Sequence, residues 1–256
     1  MMSFRENALL KTWQDGRGTV NGWLSLPDAN CTEAMAHAGW DSLTIDMQHG
    51  LVGYTDAVNM LRAISTTDVV PMVRVPWLEE GTIMKMLDAG AYGIICPMIN
   101  NQEEAVRLAR ACRYPPRGGR STGPIRASIY GGADYAKHAD DTVLCFAMIE
   151  TVEAVANLES IVAVEEINGI YIGPSDLSLT HGYGPGFDRE EPQMLELIGS
   201  IIRRVRAAGK YCGIHCGSVS YGKRMLALGA NFVTVGSDMR FVRNGADAVV
   251  KEFRMG

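Results

Sequence analysis

The sequence predicts an α/β protein, a (β/α)₈ TIM barrel running as one domain over residues 1–256. Three observations carry that expectation. Eight short apolar runs recur along the chain, stretches of helical spacing lie between them, and a glycine follows most of those stretches. Runs this short and this apolar read as strands buried on both faces, as parallel strands are. A length of 256 residues suits a barrel of this kind, for which about 250 is usual. A doubly wound open sheet is the competitor. It would carry fewer parallel strands and often a glycine-rich phosphate turn, and neither G-x-G-x-x-G nor G-x-x-x-x-G-K-[ST] occurs here.

The elements follow in order. Leu9, Leu10 and Trp13 predict one helix before the first strand, covering a barrel end. The strands are expected at Gly22–Leu26, Ser42–Asp46, Val69–Arg74, Gly93–Pro97, Val143–Glu150, Gly169–Gly173, Tyr211–His215 and Phe232–Gly236. Helical spacing shows at Ala57, Val58, Met60, Leu61 and Ile64, and again at Glu104, Ala105, Leu108 and Ala109. The pairs Ala38-Gly39, Ala89-Gly90, Ala208-Gly209 and Leu228-Gly229 stop helices shortly before the next strand. Two connections stand out. One, about Tyr114–Asp141, opens on a stretch rich in Arg, Gly and Pro and reads as irregular, hence functional or an interface. The other, Thr180–Glu190, holds a Gly-Tyr-Gly-Pro-Gly turn. No domain boundary or low-complexity tail is visible.

Bulk composition narrows the function classes. A hydrophobic fraction of 47% and a charged fraction of 21% are those of an ordinary globular protein. The formal net charge of −5 argues against non-specific binding of nucleic acid or an acidic membrane. No run approaches the roughly 18 apolar residues of a membrane helix, and Met1–Asn7 lacks the apolar core of a secretory signal. Six scattered cysteines suit reduced thiols. A cytoplasmic location is expected.

Strand ends carry the chemistry. Glu150 closes the fifth run and Asp176 follows the sixth, so both face the mouth where α/β barrels build their sites. Two hard oxygen ligands suit Mg²⁺ or Mn²⁺, which take one or two carboxylates and leave other positions to water and substrate. Each alone also reads as a helix cap. The second run ends on Asp46-Met47-Gln48-His49, placing a histidine, a natural general base, beside a carboxylate that can orient it. The alternative is a histidine merely hydrogen-bonded in a loop. The third run ends on Arg74, able to clamp a carboxylate or stabilise a developing oxyanion, or to form a salt bridge at the barrel mouth. A base, a cation and a metal site on one rim suit enolate chemistry on an α-keto acid. No strand-end lysine stands out as an imine former.

The chain here resembles the HpcH/HpaI aldolases, metal-dependent class II pyruvate aldolases typified by 4-hydroxy-2-oxoheptanedioate aldolase. The likeness runs from Gly22-Trp23-Leu24 to Val235-Gly236-Ser237-Asp238. It is carried by Ile45-Asp46-x-x-His49, Val73-Arg74-x-Pro76-Trp77, Leu87-Asp88-x-Gly90, Arg113-Tyr114-Pro115-Pro116, Ile149-Glu150-Thr151 and Ile172-Gly173-Pro174-x-Asp176-Leu177. The resemblance implies a divalent metal on Glu150 and Asp176, with Co²⁺ or Zn²⁺ further candidates beside Mg²⁺ and Mn²⁺. It implies His49 as proton acceptor, Asp88 raising its basicity, and Arg74 stabilising the transition state. It implies that Trp23, Met148, Gly173, Pro174 and Ser175 face the substrate, a 2-oxo acid and an aldehyde. A barrel of the phosphoenolpyruvate/pyruvate type is implied, exchanging its C-terminal helix between copies in a homo-oligomer, a hexamer built as a trimer of dimers.

Two positions depart from the heptanedioate enzymes. Gln48 stands where they carry Glu, and Met148 where they carry Gln. A thioether discriminates weakly, so tolerance of varied or less polar aldehydes is expected. Oxaloacetate decarboxylation, a citryl-CoA-lyase-like cleavage using Arg117, Arg120 and Arg126 for the nucleotide, and a non-catalytic carboxylate-binding barrel are the rivals. Cys212-x-x-His215-Cys216 reads poorly as a zinc site, since its spacing lies within a strand.

Overall fold

A computed structural model describes residues 4–255. Met1–Ser3, the start of the N-terminal stretch read above, lie outside them. Eight parallel strands close into a barrel in sequence order: β1 (Thr19–Leu24), β2 (Ser42–Asp46), β3 (Val70–Arg74), β4 (Gly93–Cys96), β5 (Leu144–Ile149), β6 (Gly169–Ile172), β7 (Tyr211–His215) and β8 (Phe232–Ser237). β8 pairs with β1 to complete the ring. The predicted fold class is therefore the observed one. All four expected helix-stopping glycines, Gly39, Gly90, Gly209 and Gly229, adopt positive φ, the conformation a glycine cap supplies at least cost.

Strand periodicity of two sorts the side chains. On β5, Cys145, Ala147 and Ile149 pack outward among the helices, while Leu144, Phe146 and Met148 fill the barrel. Tyr171, Phe232 and Met72 join the inner set, and Leu9 and Trp13 close its lower end from the predicted N-terminal helix, Ala8–Gln14. The Trp13 ring stacks on Phe232 at 5.4 Å and donates its indole N–H to Thr19 Oγ1. Every second residue toward the carboxyl end of each strand consequently points into one upper layer.

Two expectations need correction. β1 begins three residues earlier than predicted and ends two earlier. Its inward residues include Thr19 and Asn21, which bond inside the barrel and so break the apolar run used to find strands. The connection after Tyr114 is not irregular throughout. It contains helices Ile125–Gly131 and Tyr135–Thr142, which bury Ala127, Tyr135 and Ala139. Its Arg-, Gly- and Pro-rich opening and the short link at 132–134 lack regular structure.

The last helix, Asp238–Met255, buries only Asp238. Phe241, Val242, Val249, Val250 and Phe253 stay exposed, Phe253 by 87%. No helix among the described residues is long and apolar enough to cross a membrane.

Candidate active site

A cavity of about 460 Å³ opens at the carboxyl ends of the strands. Trp23, Asp46, His49, Arg74, Met148, Gly173, Pro174, Ser175 and Asp176 line it, and Glu150 sits behind Gly173 at its floor. The expected site residues, whether read from strand ends or implied by resemblance, thus converge, with one exception.

The register of β2 on β3 sets Asp46 opposite Arg74. Arg74 Nε donates to Asp46 Oδ1 at 2.9 Å and Nη2 to Oδ2 at 2.7 Å, a two-pronged pair that fixes the guanidinium plane. Trp23 donates its indole N–H to Oδ2 at 3.1 Å, and its ring lies 4.8 Å under the guanidinium carbon. The Gln48 and His49 amides donate to Oδ1. Burial would raise the Asp46 pKa, but the Arg74 bonds and charge, with those of Trp23 and the His49 amide, hold it below the ordinary carboxylate value. Asp46 therefore orients Arg74 and the backbone at His49, whereas the expectation was that it would orient the imidazole. The exposed His49 ring has no hydrogen-bond partner among the described residues.

Glu150 is 2% exposed. Among the described residues the one hydrogen bond to its carboxylate comes from the Met98 amide, 2.8 Å from Oε1. Met98 has φ of 56°, a conformation costly for a non-glycine residue and held here where it aims an N–H at the carboxylate. The β5–β6 register, Ile149 beside Ile172, brings Glu150 against Gly173, where a Cβ would collide with the carboxylate and with the Met148 methyl. Burial first, then the neighbouring Asp176 charge, raise Glu150 to about 7. Asp176 lies in the first turn of the helix Pro174–Thr180, whose N-terminus faces the cavity. A buried carboxylate destabilised by a second one, with neither in a salt bridge among the described residues, fits a divalent ion. Among the described residues no cluster of three or more His, Cys, Asp or Glu exists. A two-carboxylate donor set is that of Mg²⁺ or Mn²⁺ with open positions rather than a closed zinc site.

Asp88 is the exception. It ends the helix Glu80–Asp88, away from this cavity, and accepts from the fully buried Arg120 at 2.7 Å. Within one chain it does not reach the His49 ring. Arg117 is engaged by Glu166 and Asp141, and Arg126 by the Ala89 and Leu61 carbonyls. The three arginines considered for a nucleotide are spent on internal partners and line no part of the cavity.

Seven lining residues fall outside the sequence-based set: Ser25, Phe187 from the Thr180–Glu190 loop, His215, Cys216, Gly236, Ser237 and Arg240. His215 was considered only for zinc. Its place at the carboxyl end of an apolar run, the rule that found Glu150, was the available signal.

The sequence profile of the HpcH/HpaI aldolase/citrate lyase family matches residues 20–245. A hydroxypyruvate/pyruvate aldolase of Rhizorhabdus wittichii is 42% identical over 248 residues, covering 97% of this chain and 99% of that protein. A 4-hydroxy-2-oxo-heptane-1,7-dioate aldolase of Salmonella paratyphi C is 37% identical over 251 residues, covering 97% and 95%. The crystal structure of an HpcH/HpaI aldolase/citrate lyase family protein from Burkholderia cenocepacia superposes with a TM-score of 0.89 at 30% identity, covering 97% of this chain and 99% of that one.

Proposed function

The chain belongs to the HpcH/HpaI aldolase/citrate lyase family, and from that premise we propose that it is a divalent-metal-dependent aldolase, reversibly cleaving a 4-hydroxy-2-oxo acid into pyruvate and an aldehyde through an enolate. The observation that carries this reading is the buried Glu150–Asp176 pair facing an arginine held in one plane by Asp46.

A cation held by Glu150 and Asp176 would polarise the substrate's 2-oxo group as a Lewis acid. Arg74 keeps donors free beyond those used on Asp46, and these meet the oxygen on which charge builds. The amides at the start of the helix Pro174–Thr180 receive the substrate carboxylate, aided by the helix dipole. His49 takes the proton from the 4-hydroxyl as the carbon–carbon bond breaks and returns one in the synthetic direction. Trp23 and Met148 wall the site against water. Any influence of Asp88 on His49 would come from a second copy of the chain, and exchange of the exposed C-terminal helix within a hexamer supplies both that copy and the helix's missing cover.

The test is pyruvate release from a panel of 4-hydroxy-2-oxo acids and oxaloacetate, with and without EDTA. Release that depends on metal and favours the hydroxy-oxo acids supports the aldolase. Release from oxaloacetate alone would make it a decarboxylase.

A further inference from the structure

Below the cavity the barrel holds a run of polar side chains that no step above uses. Asn21, Ser42, Thr44, Tyr171 and Thr234 are all fully buried. Polar groups in such a place are costly unless hydrogen-bonded. Their bonds set an order of protons. Ser42 Oγ and Thr44 Oγ1 donate to Asn21 Oδ1 at 2.8 and 3.0 Å, so Asn21 Nδ2 is the donor to Thr234 Oγ1 at 2.9 Å. Either hydroxyl of the 2.7 Å Thr234–Tyr171 contact can donate, but the Thr234 proton has no other acceptor among the described residues, which assigns it to the Tyr171 oxygen. The Tyr171 proton in turn has His215 Nδ1 at 3.2 Å. With Nδ1 accepting, the imidazole carries its proton on Nε2.

That nitrogen has no protein partner among the described residues, and His215 lines the cavity with Arg74, Met148 and Asp176. The ring is clamped between aromatic neighbours, with Trp23 edge-on at 4.9 Å and Phe187 at 4.7 Å. Burial, with the charges of Arg74 and Arg240, holds it neutral, its pKa brought down to about 3. The site thus contains a fixed, uncharged N–H donor.

We propose that His215 Nε2–H donates a hydrogen bond to the aldehyde half of the substrate and selects aldehydes bearing an oxygen on the carbon next to the carbonyl. The inference rests on the aldolase reading. Arg74, the carboxylate pair and the helix start between them account for the oxo-acid half, and these lie on β3, β5 and β6. The β7–β1 wall is left for the aldehyde. The aldehyde's own oxygen belongs to His49, which exchanges its proton, so a second donor meets the next oxygen along. An aldehyde without that oxygen leaves a half-buried N–H unpaired, which is how a polar site rejects an apolar analogue. Met148 relaxes selection on one wall, and His215 imposes it on the other.

Glycolaldehyde and propanal have the same number of heavy atoms and differ by that oxygen. The measurement is the ratio of their kcat/KM values in condensation with pyruvate. Both values come from one preparation, so any unfolded fraction cancels. His215→Phe, which keeps an aromatic ring between Trp23 and Phe187, is expected to lower the ratio about tenfold. His215→Gln, which retains an N–H donor, is expected to keep more of it. A ratio in His215→Phe within about twofold of wild type would overturn the proposal. Exchange of pyruvate methyl protons for deuterium by the wild-type enzyme separates the two claims. Without exchange the aldolase reading itself fails, and this inference with it. Exchange with an unmoved ratio leaves the aldolase standing and removes only His215.

Discussion

Arg74 and Asp46 meet through two parallel hydrogen bonds of 2.9 and 2.7 Å, on neighbouring strands whose register sets them side by side. The pair fixes a plane, which a lysine cannot do. Arg74→Lys keeps the charge but loses the fork and the face that rests on Trp23. It should lower kcat/KM by about 10²-fold while the fold survives, as circular dichroism would show. A lysine variant of near wild-type activity would mean that only the charge matters.

His49→Ala should cost on the order of 10²–10⁴ in kcat, the usual worth of a general base. Its exposed ring packs on little, so stability should hardly change. Asp88→Asn separates structure from chemistry. Asp88 pairs with a buried arginine, so the variant should lose about 1–3 kcal/mol in urea unfolding. If a second copy also brings Asp88 near His49, the acidic limb of the pH–rate profile should shift downward as well, since losing a nearby negative charge lowers a histidine's pKa. Unchanged stability would show that the Arg120 pair contributes little.

Much of this site was legible because buried parallel strands are apolar runs and their last inward residue faces the mouth. Glu150, Arg74 and Asp46 stood out for that reason. β1 was misplaced because Thr19 and Asn21 serve the inner polar run, and polarity inside a barrel reads as loop. Helix Ile125–Gly131 was hidden behind a stretch of Gly, Pro and Arg. Asp88 was carried only by resemblance, and no strand-end rule could have said that it faces away from the cavity. The aim of Asp46 at Arg74 rather than at the imidazole depends on register, which the apolar pattern alone does not define.

His215 gives stability a pH dependence. The folded chain keeps its ring neutral down to about 3, while an unfolded histidine takes up a proton near 6.5. Between those values the unfolded state binds more protons, so stability rises with pH. The contribution is fully present above about 6.5 and is lost as pH falls toward 3, on the order of 1 kcal/mol per pH unit at most. Urea midpoints of wild type and His215→Phe at pH 7 and pH 5 check this. The two should diverge, wild type losing more on acidification, and parallel loss would exclude the ring as the cause.

Gly173 leaves room for Glu150. An added Cβ would press on the carboxylate and on the Met148 methyl. Gly173→Ala should weaken Mn²⁺ binding by about tenfold or more with little change in melting temperature, read by calorimetric titration. Unchanged affinity would show that the carboxylate can move aside without loss.

The proposed aldolase depends on a catalytic divalent ion held by Glu150 and Asp176. The most direct test is pyruvate release from a 4-hydroxy-2-oxo acid after exhaustive chelation, followed by titration with Mn²⁺ or Mg²⁺. Wild type should lose activity on chelation and regain it with added metal. Glu150→Gln and Asp176→Asn should fold, bind the ion weakly and stay inactive at concentrations that restore wild type. Full activity in the chelated wild-type enzyme would show that no divalent ion takes part in the reaction.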